Sequence, residues 1–484
     1  MKSTLQIFFC KPPVLGLVKT RLARFLGEQR ARDLYAALCQ RVITAFPAER
    51  LRLYSGTDMD LDRLLELFAD GTPPGGTVRI QHGEDLGERM ARALHEIAVD
   101  PGTPDDVDRI LLTGTDIPDY DPEIAARVAA LLDDNECALA PTGDGGYYCV
   151  GVQRKVAQDL SRMHQIMSGI QWSTPEVFQV QKEKMEAAGL RVGVGPGLED
   201  LDVIEDFAEW RSKQGGDTFL EEFFPDIRVV LPVFNEEPNL RFVLEPLLAS
   251  GLFREIICAD NGSTDNSAAV AREMGARVTE CPRRGYGATC LTALRDIAER
   301  GGCEVVLFMD ADGADEPAML PALLGPVVSG HYDFALGHRR PDLAEPGALL
   351  PQARFGNGLV SVLTRMLWGF RYHDLGPYRA INWAALEALN MDDQNFGWTI
   401  QMQVRALNDE LRVREIPVPY RKRHGGESKV TATFKGTILA GYKILYTVGR
   451  EWLAALFSGR LPRRSRLRQL QQMAGGEFPA PPIS

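Results

Sequence analysis

Short apolar runs that end in polar residues recur along the chain, and segments with helical periodicity separate them. Residues 5–9 form such a run before Lys11, and residues 227–233 form another before Asn235. Apolar runs of this length predict buried strands, and strands that alternate with helices predict a mostly parallel sheet with helices on both faces. The pattern therefore predicts an α/β fold with two units in tandem, each opened by one of these strands.

Further predicted elements follow the same alternation in each half. A polar stretch at 213–217 indicates a boundary between the halves. We predict a first domain at 1–215, a second at 225–460, and a basic, then proline-rich tail at 461–484. Predicted strands are 51–54, 77–81, 109–112, 137–140, 255–259, 277–280, 304–309 and 333–336, and predicted helices include 30–46 and 86–98.

Both halves contain the same motif, a predicted strand that is followed by aspartate. Residues 110–112 lead to Asp116, and residues 305–309 lead directly to Asp310 and Asp312. Ligands of open α/β sheets bind beyond the carboxyl ends of the strands, where aspartates can offer oxygen to a divalent cation that holds a nucleotide diphosphate. The repeat predicts two related nucleotide-binding folds, and an acidic loop after each strand is the structural alternative.

Composition narrows the class of protein. The chain has 484 residues and a formal net charge of -12, which disfavours a nucleic-acid binder. Its eight cysteines are scattered without Cys-x-x-Cys spacing, so we expect reduced core residues of a cytoplasmic protein. No apolar run reaches the roughly 18 residues that a membrane-spanning helix needs.

The C-terminal region leaves a membrane-peripheral location open. Residues 434–457 are rich in apolar and aromatic side chains, and a basic stretch follows them. This combination is typical of a helix that lies on an anionic membrane surface, while a packed terminal helix with a solvated tail explains it equally well. The basic residues are Arg460, Arg463, Arg464, Arg466 and Arg468.

Three elements of the second half stand in the order that a nucleotide site needs. Asp260 ends the second predicted strand and can accept hydrogen bonds from a base or a ribose. Arg283 and Arg284 lie beside glycines and supply cations and flexible backbone for a diphosphate. With the aspartate pair and later basic segments, this set over residues 227–429 resembles glycosyltransferase family 2, which has the GT-A fold, and within it the dolichyl- or polyprenyl-phosphate sugar synthases.

That resemblance implies a division of roles. Asp260 would hold the nucleoside, and Asp310 with Asp312 would hold Mg²⁺ or Mn²⁺ on the diphosphate. Cations after the later strands would face phosphate groups, although a solvated basic loop is the alternative for residues 421–429. These cations, with the serine of the same late motif, are Arg339, Arg421, Arg423, Ser428 and Lys429.

The general base is the least defined part of this site. The resemblance implies an acid within residues 396–403, where this chain has Gln401. We take Asp374 as the substitute catalytic residue, and a helix-capping or core-capping acid is the alternative. A phosphate acceptor already carries a nucleophilic oxygen and needs no base.

The first half carries a basic loop directly after its first strand. Lys11, Lys19 and Arg21 surround a glycine and can bring cations against a triphosphate, whereas a solvated basic loop is the alternative. With later motifs at 83–90, 114–118, 141–148, 172–174 and 200–206, the first half resembles the DUF2064 family over residues 5–210. That family is glycosyltransferase-like and related in fold to sugar-phosphate and phospholactate nucleotidyltransferases.

This second resemblance implies its own set of site residues. Asp116 and Asp202 would share a divalent ion, and Lys19 with Arg21 would neutralise the triphosphate as catalytic groups. Lys11 would add a cation to the substrate site. Asp144 and Tyr147 would reach the substrate, because Gly145 and Gly146 let the backbone approach closely.

The sequence thus predicts a bifunctional sugar-nucleotide enzyme with two tandem Rossmann-like domains of GT-A or nucleotidyltransferase type. The second head would be a metal-dependent transferase that moves a sugar from a nucleotide diphosphate to a phosphate or hydroxyl acceptor, either a polyprenyl phosphate or a small molecule. The first would be a nucleotidyltransferase acting on a nucleoside triphosphate and a sugar 1-phosphate. Alternatives are a second glycosyltransferase in the first half and a sugar-nucleotide-binding protein without catalysis.

Overall fold

The computed structural model describes residues 3–68, 71–213, 218–425 and 434–475. Two of the predicted site residues, Ser428 and Lys429, lie outside the described residues. The chain divides into two units, and the predicted boundaries at 215 and 225 stay predictions. Unit 1 comprises Met1–Ala23, Glu28–Trp210 and Gly216–Phe223, and unit 2 comprises Arg24–Gly27, Arg211–Gly215 and Phe224–Ser484.

The sheet of unit 1 has seven strands in the order β3-β2-β1-β4-β6-β5-β7. All neighbours run parallel except β6, which is antiparallel to both β4 and β5. The strands are β1 (Ser3–Cys10), β2 (Leu51–Ser55), β3 (Val78–Ile80), β4 (Val107–Thr113), β5 (Cys137–Pro141), β6 (Tyr147–Gln153) and β7 (Val192–Val194).

Helices of the first half connect these strands, and side-chain caps fix where several of them begin. The Asp85 carboxylate accepts from the amide of Glu88 at the start of α4, and Asp121 does the same for Ile124 at the start of α5. The helices are α1 (Thr20–Leu26), α2 (Glu28–Thr44), α3 (Leu61–Leu65), α4 (Leu86–Val99), α5 (Pro122–Leu131), α6 (Arg154–Ala157), α7 (Leu160–Met167), α8 (Val177–Ala187) and α9 (Ile204–Lys213).

Apolar packing covers both faces of this sheet. Ile7 belongs to one buried cluster and its neighbour Phe8 to another, because successive side chains of a strand point to opposite faces. Ile110 and Leu111 of β4 divide between the same two clusters. Burial on both faces explains why these strands are continuous apolar runs in the sequence.

The sheet of unit 2 repeats this plan with the order β10-β9-β8-β11-β13-β12-β14. Its sixth strand, β13, is again antiparallel to both neighbours, and the remaining pairs are parallel. The strands are β8 (Ile227–Val233), β9 (Glu255–Asp260), β10 (Arg277–Glu280), β11 (Val305–Phe308), β12 (Phe334–Ala344), β13 (Arg379–Asn382) and β14 (Val413–Tyr420).

The helices of unit 2 flank its sheet and share a large apolar core with it, in which Trp368 and Trp398 are each 1% exposed. Among the described residues, no helix has both the length and the apolar character needed to cross a membrane. The helices are α10 (Glu237–Ala249), α11 (Ser267–Glu273), α12 (Tyr286–Glu299), α13 (Leu320–Val328), α14 (Pro351–Leu367), α15 (Trp383–Ala388), α16 (Trp398–Asn408), α17 (Phe434–Phe457) and α18 (Arg464–Gly475).

The predicted α/β class and the tandem repeat of the fold are confirmed, because both sheets are mostly parallel and share one strand order. Each predicted strand lies within one or two residues of an observed strand, except that β12 continues to Ala344. The antiparallel strands β6 and β13 were not predicted. The eight cysteines are free, and all but the half-buried Cys303 are buried, as expected for reduced core residues.

Candidate active sites

In unit 2, three adjacent parallel strands end in polar residues at one edge of the sheet. Asp260 is the last residue of β9, Asn235 and Glu236 follow β8, and Asp310 follows β11. The strands lie in the order β9, β8, β11, and parallel pairing brings their carboxyl ends together. The fold therefore gathers these side chains where ligands of open α/β sheets bind.

Asp260 is held in a tight turn after β9. Its side chain is 7% exposed and accepts hydrogen bonds from the amides of Gly262 at 3.2 Å and Ser263 at 3.1 Å. The neighbouring loop is fixed by Asn235, which has a left-handed φ of 53° and accepts from the amide of Thr264 at 2.7 Å. Asp260, the residue predicted to bind the nucleoside, is therefore held in place by backbone amides.

Asp310 and Asp312 form an acidic cluster with Asp315, and these charges repel one another. Burial and the neighbouring Asp312 raise the pKa of Asp310 to about 7. Burial raises the pKa of Asp312. Burial, followed by Asp310 and Asp312, raises the pKa of Asp315 well above its usual range, and Oδ1 of Asp315 is buried without a hydrogen-bond partner among the described residues. The cluster carries negative charge that its surroundings balance only in part.

Few protein groups contact Asp310. The Tyr286 hydroxyl lies 3.4 Å from its Oδ1, and within the described residues it forms no ion pair. Asp312 has a partial counter-ion, because Nη1 of Arg423 lies 3.4 Å from its Oδ2. Arg423 also pairs with Glu236, so one guanidinium is shared between two carboxylates.

The basic segment after β14 is held against this cluster. The amide of His424 donates to the Asp312 carbonyl at 3.0 Å, and the His424 ring stacks on Phe242 at 4.2 Å. Arg421 pairs with Glu316, and its amide donates to the Ala314 carbonyl at 2.9 Å. The described part of the predicted phosphate-binding segment is therefore positioned beside the aspartates by its own backbone.

Arg339 and Asp374 form a buried bidentate pair. Nε and Nη2 of Arg339 lie 2.7 and 2.6 Å from the two carboxylate oxygens, and Asp374 also accepts from Asn357 at 2.7 Å. Burial opposes ionisation of Asp374, but Arg339 lowers its pKa below the usual range. An acid engaged in this way positions Arg339. Its role as a general base stays a prediction, which these contacts disfavour.

Gln401 lies in the interior of the unit. Its side-chain carbonyl accepts from the amides of Asp392 and Asp393 at 3.1 and 2.9 Å, and its amide donates to Glu451 at 2.9 Å. These contacts tie the loop before α16 to α17. The residue therefore has a structural role in the position where an acid was expected.

The two arginines of the glycine-containing loop differ in their surroundings. The Arg284 guanidinium lies 4.0 Å above the Phe234 ring and donates to the Gly262 carbonyl at 3.1 Å. Arg283 has an exposed side chain, and its carbonyl accepts from Asn261 at 2.7 Å. Arg284 thus lies beside the turn that holds Asp260, as a nucleotide site requires.

Asp310 and Asp312 fit a hard divalent cation as part of its ligand set. Within the described residues, no group of three or more His, Cys, Asp or Glu side chains is arranged to hold a metal alone. Mg²⁺ and similar ions usually take one or two carboxylates and complete their coordination with substrate phosphates and water. Two half-buried carboxylates with partly unbalanced charge match that pattern.

In unit 1 the corresponding strand ends bring Lys19, Asp116 and Asp202 together. Asp116 follows β4, the neighbour of β1, and Lys19 precedes α1. Nζ of Lys19 lies 3.2 Å from Oδ2 of Asp116 and 3.7 Å from Oδ1 of Asp202. Burial lowers the pKa of Lys19, but the carboxylates raise it above its usual range, and Lys19 lowers the pKa of Asp116 against the effect of burial.

The remaining predicted residues of unit 1 lie around this triad or apart from it. Arg21 is exposed and donates to Asp202 at 3.0 Å. Lys11 has an exposed side chain, and its amide donates to the Tyr35 hydroxyl at 2.9 Å. Asp144 is exposed and accepts from the amide of Gly146 at 3.0 Å. The Tyr147 hydroxyl lies 3.1 Å from Oε1 of the buried Gln181.

The close backbone approach predicted at Gly145 is directed at the protein itself. Gly145 has a φ of 86°, and a Cβ atom there would lie 2.0 Å from the Pro175 carbonyl oxygen. Any other residue would collide with that backbone. The glycine is therefore required by the packing of its own loop.

Sequence reasoning missed one acid in each unit. Burial and Asp116 raise the pKa of Asp200 to about 6, which marks it as part of the carboxylate cluster of unit 1. The signal was present, because Asp200 and Asp202 have the same Asp-x-Asp spacing as Asp310 and Asp312. Asp315 in unit 2 was also close in sequence, since it follows Asp310 by five residues, and its Oδ2 accepts from the amide of Asp310 at 3.4 Å.

Comparison with known proteins assigns each half to a family. Residues 228–385 match the model of glycosyl transferase family 2, and residues 43–174 match DUF2064, a family of uncharacterized proteins conserved in bacteria. An uncharacterized glycosyltransferase of Mycobacterium tuberculosis is 35% identical over 215 residues, which are 44% of this chain and 94% of that protein. The dolichyl-phosphate hexose transferase of Haloferax volcanii is 32% identical over 228 residues, 46% of this chain and 95% of that protein.

A solved structure shares about half of the chain as well. Glucosyl-3-phosphoglycerate synthase from Mycobacterium tuberculosis, in complex with phosphoglyceric acid, is 22% identical with a TM-score of 0.38 and covers 46% of this chain and 80% of its own. Both family matches fall in the halves that the sequence motifs indicated. By its family match and its relatives, the second half belongs to glycosyl transferase family 2 and is a glycosyltransferase, while the first half is similar to DUF2064 over residues 43–174.

Proposed function

We propose that unit 2 transfers a sugar from a nucleoside diphosphate to an acceptor that carries a phosphate, with a divalent cation as cofactor. The observation that carries this proposal is the partly unbalanced pair Asp310 and Asp312 at the end of β11, separated only by β8 from the strand end that presents Asp260. A divalent cation held there would stabilise the diphosphate as it leaves. Asp260 and Arg284 would hold the nucleoside and the diphosphate on the other side of β8.

The residues around the aspartates suit transfer to a phosphate oxygen. Arg421 and Arg423 lie beside the cluster and would orient a phosphate group of the acceptor. A phosphate monoester attacks without prior deprotonation, so the site needs no general base. The engaged Asp374 and the structural Gln401 are consistent with this absence of a base.

A polyprenyl phosphate is the acceptor we propose. The dolichyl-phosphate hexose transferase of Haloferax volcanii, by its name, uses a lipid phosphate of this class. Unit 2 also exposes large apolar side chains on two helices, with Phe355 of α14 74% exposed and Phe457 of α17 84% exposed. Others on these helices are Val362, Met366, Tyr442, Leu445, Tyr446, Leu453 and Leu456.

We further propose that this apolar surface and the basic residues after it contact an anionic membrane from one side. Arg463, Arg464, Arg466 and Arg468 are exposed in and before α18. Exposed aromatic and aliphatic groups insert at the headgroup boundary, and arginines attract anionic lipids. We expect the protein to float with vesicles that contain phosphatidylglycerol, less at high salt, and Phe457→Ser to weaken flotation. Equal flotation of the protein with neutral vesicles would contradict the proposed attraction between the arginines and anionic lipids.

The transfer reaction is tested with Mn²⁺, a panel of labelled uridine and guanosine diphosphate sugars, and a short polyprenyl phosphate. We expect one donor to give a labelled lipid with the wild-type protein and none with Asp310→Asn. Asp342→Asn is the matched control, because Asp342 is an exposed acid of the same unit that pairs with Arg340. Transfer by Asp310→Asn at the wild-type rate would refute the proposed site.

For unit 1 we propose a nucleotidyltransferase that joins a nucleoside triphosphate to a sugar 1-phosphate. Asp116, Asp200 and Asp202 form a carboxylate cluster at the strand ends, and Lys19 and Arg21 supply cations next to it. Attack on an α-phosphorus needs mainly positioning and charge neutralisation, which these groups can give. A second glycosyltransferase or a binding module without turnover are the rival assignments.

Pyrophosphate release separates these assignments. Full-length protein is incubated with Mg²⁺, single nucleoside triphosphates and a panel of sugar 1-phosphates. We expect release with one pair and its loss in Asp116→Ala, while Asp105→Ala, an acid before β4, retains it. No release with any pair, together with triphosphate binding, would favour the binding module.

A further inference from the structure

Lys19 occupies an unusual position for a lysine. Its side chain is only 4% exposed, although it lies at the end of the loop between β1 and α1. Its backbone is left-handed, with a φ of 45°, and its carbonyl accepts from the amide of Ala23 at 2.8 Å where α1 begins. A left-handed conformation is unfavourable for a residue with a side chain, so the surroundings must hold it in place.

The ammonium of Lys19 lies between two carboxylates that come from distant parts of the chain. Nζ is 3.2 Å from Asp116 and 3.7 Å from Asp202. These are the same two acids that would share a divalent ion if the resemblance to DUF2064 carries over to the chemistry. A buried ammonium needs such partners, because burial without them is strongly unfavourable.

We propose that Lys19 is an internal counter-ion that competes with a divalent cation for the carboxylates of Asp116 and Asp202. The two cations seek the same oxygens and repel each other at this distance. A metal ion therefore gains full access to both acids only when another anion, such as a polyphosphate, draws Lys19 away. Unit 2 lacks this arrangement at Asp310, where no ion pair forms within the described residues.

This inference rests on the proposed role of Asp116 and Asp202 as cation ligands of unit 1. It adds that free metal binds weakly to unit 1, because Lys19 contacts both acids while Arg21 pairs with Asp202 alone. The metal and the nucleotide would consequently bind in a coupled manner. Charge removal at position 19 should uncouple them.

The test is a titration of the full-length protein with Mn²⁺ in the absence of nucleotide. The concentration of free Mn²⁺ is measured by electron paramagnetic resonance. Asp310→Asn with Asp312→Asn provides the background, so that unit 2 does not contribute. Lys19→Gln in that background should bind Mn²⁺ at least about tenfold more tightly than the background itself, because an ammonium beside two carboxylates is removed. Lys19→Arg keeps the charge and should show no gain.

Lys155→Gln is the matched control, since Lys155 is an exposed lysine of α6 in the same unit and should leave the affinity unchanged. Unchanged or absent Mn²⁺ binding in Lys19→Gln would overturn the proposal. If Lys19→Gln fails to fold in chelator, recovery of a cooperative thermal transition with Mn²⁺ supports it, and no recovery overturns it. Pyrophosphate release by the wild-type protein is scored separately, so a failure of the nucleotidyltransferase assignment is distinguishable.

Discussion

The two units share one strand order but differ in how the acids after the fourth strand are balanced. In unit 1, Lys19 lies 3.2 Å from Asp116, and it lowers the pKa of that carboxyl although burial would raise it. In unit 2, burial and Asp312 raise the pKa of Asp310 to about 7. The fold therefore determines where the acids lie, while one loop residue decides how much of their charge remains for an external cation.

The arginines of unit 2 show why Asp310 forms no ion pair with any residue that the structure describes. Arg339 is held by Asp374, Arg421 by Glu316, and Arg423 is shared between Glu236 and Asp312. Each of these arginines is paired with another acid, although Arg339 and Arg423 still lower the pKa of Asp310 against the effect of burial.

The largest expected effect is on transfer by unit 2. Asp310→Asn should lower kcat/KM for sugar transfer about 10³-fold, because a metal that stabilises a leaving diphosphate contributes several kcal/mol to the transition state. Initial rates at saturating Mn²⁺ measure it. Asp342→Asn should stay within about twofold of wild type. Equal losses of kcat/KM in Asp310→Asn and Asp342→Asn would show that the partly unbalanced charge of Asp310 does not contribute to catalysis.

The next effect concerns the buried ion pair of Arg339 and Asp374. Asp374→Asn should lower the free energy of unfolding by about 3 kcal/mol in urea denaturation, since it leaves a guanidinium buried without its partner. The exposed pair of Arg340 and Asp342 is the control, and Asp342→Asn should change stability little. A stable Asp374→Asn that has lost transfer would instead identify Asp374 as the base.

The smallest effects have opposite signs in the two units. When folding raises the pKa of a carboxyl, the folded protein becomes less stable as the pH rises from the pKa of the unfolded state to the pKa of the folded state. In chelator at pH 8, Asp310→Asn should therefore stabilise the protein, by about 1 to 3 kcal/mol, and less at pH 5. Asp116→Asn should destabilise the protein by about 1 kcal/mol, because Lys19 loses one of its two ion pairs. The effect is small because Asp116 is partly exposed and Lys19 still pairs with Asp202.

Thermal unfolding with the two variants in parallel measures this pair of effects. Shifts of the same sign in both variants would show that the two carboxylates are in equivalent electrostatic environments. The contrast between the units would then have to be abandoned, even though their strand order is the same.

Much of the fold was predictable because strands buried on both faces are apolar runs. Strands β1, β4, β8 and β11 were recognised in this way, and their polar ends located the acids of both sites. Strand β13 was not recognised, since it has four residues and contains Arg379, which is buried at 1% exposure and interrupts the apolar pattern. Strand β6 was missed because it begins directly after a glycine-rich turn.

The electrostatics of the sites could not be predicted from spacing. Lys19 and Asp116 are 97 residues apart, and nothing local in the sequence indicates that their side chains meet. The same holds for Arg339 and Asp374, which are 35 residues apart and come together across the sheet. Residue types predicted which groups could bind phosphate and metal, while only the packing determines which of them are already engaged.

The most direct measurement is the anomalous scattering of Mn²⁺ in crystals grown with and without a nucleoside diphosphate. The account predicts a peak within coordination distance of Asp310 and Asp312 when the diphosphate is present. It also predicts no peak between Asp116 and Asp202 while Lys19 contacts them. A peak at Asp116 and Asp202 with Lys19 still in place, or none beside Asp310, would contradict it.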